Sequence, residues 1–219
     1  VSGSTITFAA NLVTGDVINF IQILGSVLDL GVPSDSTVSI AKLTATGTKN
    51  STTFLRGDNT FNAPPLGGIT SASQFRLTTS FDGDATPIAS NLAEVNTDGY
   101  GRIGTAVSES SGIFTFPSTG VWLIIFMVGA SEDGTVNYHT GCIDTTVNNS
   151  SYSSASCCDQ NWSSSGAAYS SAECSFIFDV TNTTTHKVRF TIDSAGTSTT
   201  EGSGAAVATG MTFIRLGDT

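Results

Sequence analysis

Apolar and polar positions alternate with a period of two in several stretches of the C-terminal two thirds of the chain. Over 73–79, Phe75 and Leu77 fall on one face and Gln74, Arg76 and Thr78 on the other, which predicts a half-buried strand. In 187–192, Val188, Phe190 and Ile192 share a face; in 211–216, Met211, Phe213 and the aliphatic part of Arg215 do so. Residues 175–180 read as another strand. The run VWLIIFMV at 121–128 is apolar without interruption, so it predicts a strand buried on both sides. Turn clusters separate these stretches: DGDATP (82–87), NTDGYG (96–101), SEDGT (131–135), TNTTT (181–185) and SAGTSTTEGSG (194–204). Short strands with this punctuation predict an all-β fold, an antiparallel sandwich or jelly roll.

The first third reads differently. Pro64, Pro65, Leu66, Gly67 and Gly68 form a natural hinge, dividing the chain into a connector or stalk (1–68) and a main domain (71–219). Residues 4–8 alternate like a strand. Residues 17–30 place Val17, Ile21, Leu24 and Leu28 at helical spacing, yet they contain Val, Ile, Asn, Gly and Asp, all poor helix formers. Strand-like, irregular and helical structure all stay open there. So short and apolar a piece cannot bury itself, so it packs on the main domain or on copies of itself.

Composition narrows the class. Of 219 residues only 12% are charged, about half the usual share. Ser and Thr together supply 63 residues, and Gly 23. Eight Lys and Arg against eighteen Asp and Glu, a net charge of −10, lack the basic footprint that nucleic acid requires. A hydrophobic share of 39% is too high for charge-driven disorder. No apolar run approaches the length of a membrane span, and no signal peptide is visible. The chain is therefore expected to bury a core under a surface of hydroxyls and amides, which suits strands.

A family resemblance enters at two places. After Asn91 and Tyr100 comes GIFTFPSTGVWLIIFMVGA (112–130), and the chain ends in GMTFIRLGD (210–218). This Gly-Phe-Pro-Gly-Trp arrangement before a long apolar strand resembles the jelly-roll head of the TNF-like and complement globular-head superfamily. Gly112 and Gly120 stand where turns need a permissive backbone, and Pro117 follows a strand where a ladder donor is dispensable. Phe114, Phe116, Trp122 and Phe126 supply large buried area. Residues 38–65, with Thr53, Phe54, Leu55, Arg56, Gly57, Asp58, Asn59, Thr60 and Phe61 at the centre, resemble the segment before the tip domain of many bacteriophage tail fibres. FIFDVTNTTTHKVRF (176–190) resembles the penultimate hairpin of phage-encoded heads. Together these resemblances imply a viral fibre or spike with a TNF-like tip. They also imply a homotrimer packed through the flatter sheet, whose interface would account for the low charge.

Candidate chemistry is sparse. Arg56-Gly57-Asp58 matches an adhesion tripeptide, but reads first as a turn in which Gly57 takes positive φ and Asp58 and Asn59 bond local backbone. Asp82 and Asp84 flank Gly83 as hard oxygen donors for calcium, without the further spacing of a calcium loop; Glu132 and Asp133 are a weaker pair. A solvated turn is the plainer reading, and no other cofactor is expected. His139 and His186 have no metal-like spacing. Cys142, Cys157, Cys158 and Cys174 allow three connectivities. Cys142 with Cys174, or Cys157 with Cys174, are the pairings weighed for a protein working outside a cell, and reduced buried thiols the reading for one assembled in a reducing cytoplasm. The absence of C-x-x-C argues against zinc. The Ser-rich stretch 150–171 carries Tyr152, Asn161, Trp162 and Tyr169, residue types that binding loops favour; read as a long loop between strands, it is the candidate receptor contact. The sequons at Asn50, Asn148, Asn149, Asn161 and Asn182 are chance matches in such a composition. Asp144, Asp159, Glu173 and Asp179 show no spacing that marks a glycosidase pair, and no nucleophile elbow exists.

The reading is a non-enzymatic, homotrimeric phage fibre or spike protein that attaches a virion to a host-surface receptor, a glycan before a protein. It contacts other virion proteins through its N-terminal segment and binds neither nucleic acid nor membrane. It is assembled in the host cytoplasm and acts on the extracellular virion. A purely structural decoration or filament-building protein is the alternative, and a capsule depolymerase the weaker one.

Overall fold

A computed structural model of the chain describes residues 8–19, 39–42, 44–64, 68–132, 138–162, 166–195 and 198–219. The chain divides into two units, Val1–Pro65 and Leu66–Thr219.

In the first unit a short 3-10 turn, Ile40–Lys42, precedes a hairpin of β1 (Phe54–Leu55) and β2 (Phe61–Asn62), paired Phe54 to Asn62 and Leu55 to Phe61. The adhesion-like tripeptide is the turn of this hairpin. The Arg56 amide donates to the Thr60 carbonyl at 2.8 Å, and the Asn59 amide to the Arg56 carbonyl at 3.0 Å. Asp58 Oδ1 accepts from the Thr60 hydroxyl at 2.6 Å and the Thr60 amide at 3.1 Å. The hydroxyl bond holds the Asp58 carboxyl below its ordinary range. The left-handed residue is Asn59, with φ 60°, and not Gly57 as expected; asparagine tolerates that region because its side chain can bond locally. The strand expected at 4–8 and most of the 17–30 segment lie outside the described residues. Phe8, Leu12, Val13, Val17 and Ile18 are exposed.

The second unit is a two-layer antiparallel sandwich. The larger sheet runs β11–β8–β14–β3–β5, and β13 and β4 continue it beside the end of β8. Its strands are β3 (Ala72–Leu77), β4 (Phe81–Asp82), β5 (Leu92–Glu94), β8 (Gly120–Glu132), β11 (Ala168–Val180), β13 (Thr199–Thr200) and β14 (Gly210–Gly217). The smaller sheet runs β10–β9–β12–β7–β6, from β6 (Ser108–Ser110), β7 (Ile113–Thr115), β9 (His139–Thr146), β10 (Ser153–Gln160) and β12 (Lys187–Ser194). Every strand pair in the sandwich is antiparallel.

The core lies between the layers. Trp122, Ile124, Phe126 and Val128 of β8, Met211 and Phe213 of β14, and Phe75 and Leu77 of β3 face Phe114, Ile143, Val188, Phe190 and Ile192 of the smaller sheet. The strand-face assignments made for 73–79, 187–192 and 211–216 agree with this burial. Gly112 takes φ 81°, and a Cβ there would stand 2.4 Å from the Ile88 carbonyl oxygen, so the turn into β7 requires glycine.

Two expectations need correction. The apolar run of β8 is not buried on both sides. Its even positions are fully buried, but Val121, Leu123, Ile125 and Met127 are half-buried on the outer face of the larger sheet, where the sandwich has no third layer among the described residues. The Ser-rich stretch 150–171 is not a loop: it contains all of β10 and the start of β11.

Candidate functional site

The folding of 150–171 into strands separates the four proposed receptor residues. Tyr152 precedes β10 and Asn161 and Trp162 follow it; eight strand residues at about 3.3 Å each put roughly 25 Å between the two ends. Tyr152 is half-buried, its ring 4.5 Å from the Arg189 guanidinium. Arg189 Nε lies 3.1 Å from Asp144 Oδ2, and the Ser154 hydroxyl donates to Asp144 Oδ1 at 2.7 Å. Burial raises the Tyr152 phenol's pKa, and the nearby guanidinium opposes that. Tyr152 thus closes a stack on the outer face of the smaller sheet. At the other end of β10, Asn161 is exposed and Trp162 is half-buried with its ring 6.2 Å from His139. Tyr169, opposite Ser131 on β11, is 80% exposed. Asn161, Trp162 and Tyr169 flank one connection, between β10 and β11; Tyr152 does not belong to it.

The interior at that same end of the sandwich is polar. His139 is fully buried, with Nδ1 2.8 Å from the Ser198 hydroxyl and Nε2 3.2 Å from the Thr200 hydroxyl. Gln160 Oε1 and Trp162 Nε1 are buried with no hydrogen-bond partner among the described residues. Desolvation lowers the His139 pKa, which Asp84 partly opposes. A histidine whose folded pKa is depressed contributes stability that is full above its ordinary value near 6.5 and is lost as pH falls from there towards the folded value. The expected result is a melting temperature that drops further between pH 7 and 5 in the natural chain than in His139→Asn; scanning calorimetry of both checks it. Equal drops would remove His139 from the account.

The calcium candidates are engaged within the protein. Asp84 Oδ1 accepts from the Ser194 amide at 2.8 Å and hydroxyl at 3.2 Å, and Asp82 Oδ1 from the Thr199 hydroxyl at 2.6 Å. Among the described residues no group of three His, Cys, Asp or Glu side chains could hold a metal ion. His186 is buried against Phe178, its ring stacked at 5.7 Å, with Thr181 and Thr185 hydroxyls on its two nitrogens. Of the four carboxylates weighed as an acid–base pair, Asp144 is held by Arg189 and Ser154, and Asp159 accepts from the Thr140 hydroxyl.

The disulfide joins Cys142 to Cys157 and not either of them to Cys174. The reason is register: β9 and β10 set these two residues opposite each other, with side chains on the outer face. Their neighbour Cys158, on the opposite side of the pleat, points inward, and it and Cys174 are buried free thiols.

The feature that period-two reading missed is the outer face of the larger sheet. Register aligns Ile177, Leu123, Ile214 and Ala72 in one row across four strands, and Ala72 bridges to Ile103. The next row is Ser175, Ile125, Thr212 and Gln74. Ile177 is 60% exposed, and Ile103 is exposed too. Charged groups on this face stand around these two rows and not in them: Glu173 and Asp179 on β11, Arg76 on β3, bonded to Asn96 and Thr97, and the Arg102–Glu94 pair, 3.1 Å apart, beyond β3. The signal was present in the odd positions of the 121–128 run, which are as apolar as the even ones.

The fold is a TNF-like jelly roll. Eiger TNF from S. frugiperda superposes with a TM-score of 0.52 at 12% identity, covering 68% of this chain and 93% of its own. Murine APRIL at pH 5.0 superposes with a TM-score of 0.50 at 14% identity, covering 67% of this chain and 98% of its own. At such identities the likeness is one of fold. No family model matches the chain, and no curated protein matches it.

Proposed function

We propose that the chain is a non-enzymatic, homotrimeric attachment protein of a virion, with the first unit as connector and the jelly roll as receptor-binding tip. The observation that carries the assembly is the apolar, charge-poor row on the outer face of the larger sheet. An uncharged centre with a charged rim is the anatomy of a protein interface. A second patch complements it. At the β10–β11 edge, β11 ends the larger sheet with thirteen residues that pair on one side only, with β8, among the described residues, a liability that proteins cover. Face and edge are different surfaces, so joining one to the other is a heterologous contact, which builds a closed ring or an open filament and not a two-fold dimer. The threefold ring, the viral setting and the role of the N-terminal segment in contacting other virion proteins rest on the resemblances at 38–65, 112–130 and 176–190.

The receptor contact belongs to the end of the sandwich where Asn161, Trp162 and Tyr169 flank one connection. Exposed tyrosine and amide groups suit the polar and apolar faces of a sugar, so a surface glycan is the first ligand to test. Sedimentation equilibrium of the purified chain is expected to give the mass of three copies. The protein is expected to bind host cells or envelope polysaccharide without releasing reducing ends. Tyr169→Ala should weaken that binding about tenfold, the loss of a modest hot spot, and Tyr152→Ala should leave it unchanged. Unaltered binding by Tyr169→Ala would remove the site. A trimer that binds no host surface would favour decoration or filament building.

A further inference from the structure

Cys158 on β10 and Cys174 on β11 meet in the interior, one from each sheet. Both thiols lie against one acceptor, the Gly141 carbonyl oxygen, at 3.5 and 3.8 Å, and Cys174 also approaches the Ser156 carbonyl at 3.7 Å. Each thiol is the largest influence on the other's pKa. Their place in the topology matters more than their burial. β10 is the last strand of the smaller sheet and β11 the last of the larger, and among the described residues no backbone ladder joins them. Side-chain contacts close the sandwich there.

We propose that Cys158 and Cys174 are an oxidisable pair, and that their disulfide staples the two sheets together at the β10–β11 edge, alongside the outward Cys142–Cys157 bond. Their closeness makes their roles unequal. Cys174 lowers the pKa of Cys158, and Cys158 raises that of Cys174, so Cys158 is the better placed of the two to react first as a thiolate. With a small-molecule disulfide as oxidant, Cys158 sulfur attacks one of its sulfurs and expels one thiolate. Cys174, losing its proton to that thiolate, then attacks the Cys158 sulfur of the mixed disulfide and expels the second. Two protein thiols are oxidised to one disulfide, and one small disulfide is reduced to two thiols. Entry requires the edge to open, and β10 is suited to that. It is an end strand, and its pairing with β9 is already interrupted by an irregularity between Ser154 and Ser156. The existing disulfide does not compete, because Cys157 points to the opposite side of the pleat from Cys158. The inference stands whether or not copies of the chain assemble.

The test uses the full chain incubated with glutathione disulfide, in buffer and in mild urea to open the edge. It is then denatured and alkylated without reduction. The expected product carries no alkyl adduct on any cysteine, and fragmentation of its peptides links Cys158 to Cys174 and Cys142 to Cys157. Closing the short loop between Cys158 and Cys174 is expected to raise the melting temperature by about 5–10 °C. Cys174→Ala should keep the first disulfide and show no such rise. Adducts on both Cys158 and Cys174 after incubation in urea would overturn the proposal, as would a linkage of either to Cys142 or Cys157. The adduct count is made on the natural chain, so the result does not depend on the variant folding.

Discussion

Replacing Ile177 by arginine is expected to convert the assembly into single chains without unfolding them. Ile177 is 60% exposed in the single chain, so a long cationic side chain there meets solvent and the sandwich loses little. In the proposed assembly the same position closes the apolar row that Leu123, Ile214 and Ala72 continue. Each of three contacts would then bury a charge with no partner in a charge-poor centre, which costs several kcal/mol per site. At about 1.4 kcal/mol per factor of ten, three such penalties exceed what a micromolar assembly survives. Light scattering after size exclusion should give the mass of one chain, and the far-ultraviolet dichroism should stay that of the natural protein. Ser110→Arg, exposed on β6 at the end of the smaller sheet away from β10, is the control that should remain assembled. Assembly by the Ile177→Arg protein would show that the row is covered by nothing, and the proposed interface would have to be given up.

The apolar row also shows how an uninterrupted hydrophobic stretch misleads. Over 121–128 the sequence calls for burial on both sides, and the single chain buries only Trp122, Ile124, Phe126 and Val128. Hydropathy reports that a side chain will be covered, not whether its own chain or another does the covering. The sandwich class and the inward faces of individual strands were legible for a related reason: where inward residues are large and apolar, as in β3, β8, β12 and β14, period-two alternation stands out. It fails in β10 and the first half of β11. There the inward residues are Cys158, Gln160, Ala168, Ser170 and Ala172, small or polar, and most of the outward ones, such as Ser154, Cys157, Asp159 and Ser171, are small or polar too. Inside and outside then have the same hydropathy, and a strand looks like a loop. That error carried over to the candidate site. Tyr152 and Trp162 are near in sequence, but an extended strand moves them about 25 Å apart. The disulfide was hidden by the same misreading, since pairing Cys142 with Cys157 requires knowing that β9 and β10 are neighbours in register.

Truncating Phe114 to alanine is expected to be the most damaging single change in the sandwich. Phe114 sits on β7, a strand of only three residues, and is fully buried. Its ring lies edge-on to Phe75 at 5.2 Å, tilted against Phe213 at 5.1 Å and edge-on to Phe190 at 5.3 Å. Two of those partners belong to the larger sheet and one to the smaller, so Phe114 is where the layers meet. Removing it loses the transfer energy of a whole ring and leaves a cavity whose walls are other rings, anchored on central strands and unable to collapse into it. Phe-to-Ala changes at such positions cost about 3–5 kcal/mol, which for a domain of this size lowers the melting temperature by roughly 10–15 °C. Phe114→Leu keeps most of the volume and should cost about 1–1.5 kcal/mol. Phe81 is only partly buried at the margin of the core, so Phe81→Ala should cost distinctly less than Phe114→Ala. Thermal and urea unfolding of the three variants measures the ranking. If Phe114→Ala proved no worse than Phe81→Ala, the packing of β7 against β3 and β14 would be wrong, and with it the contact that joins the two sheets.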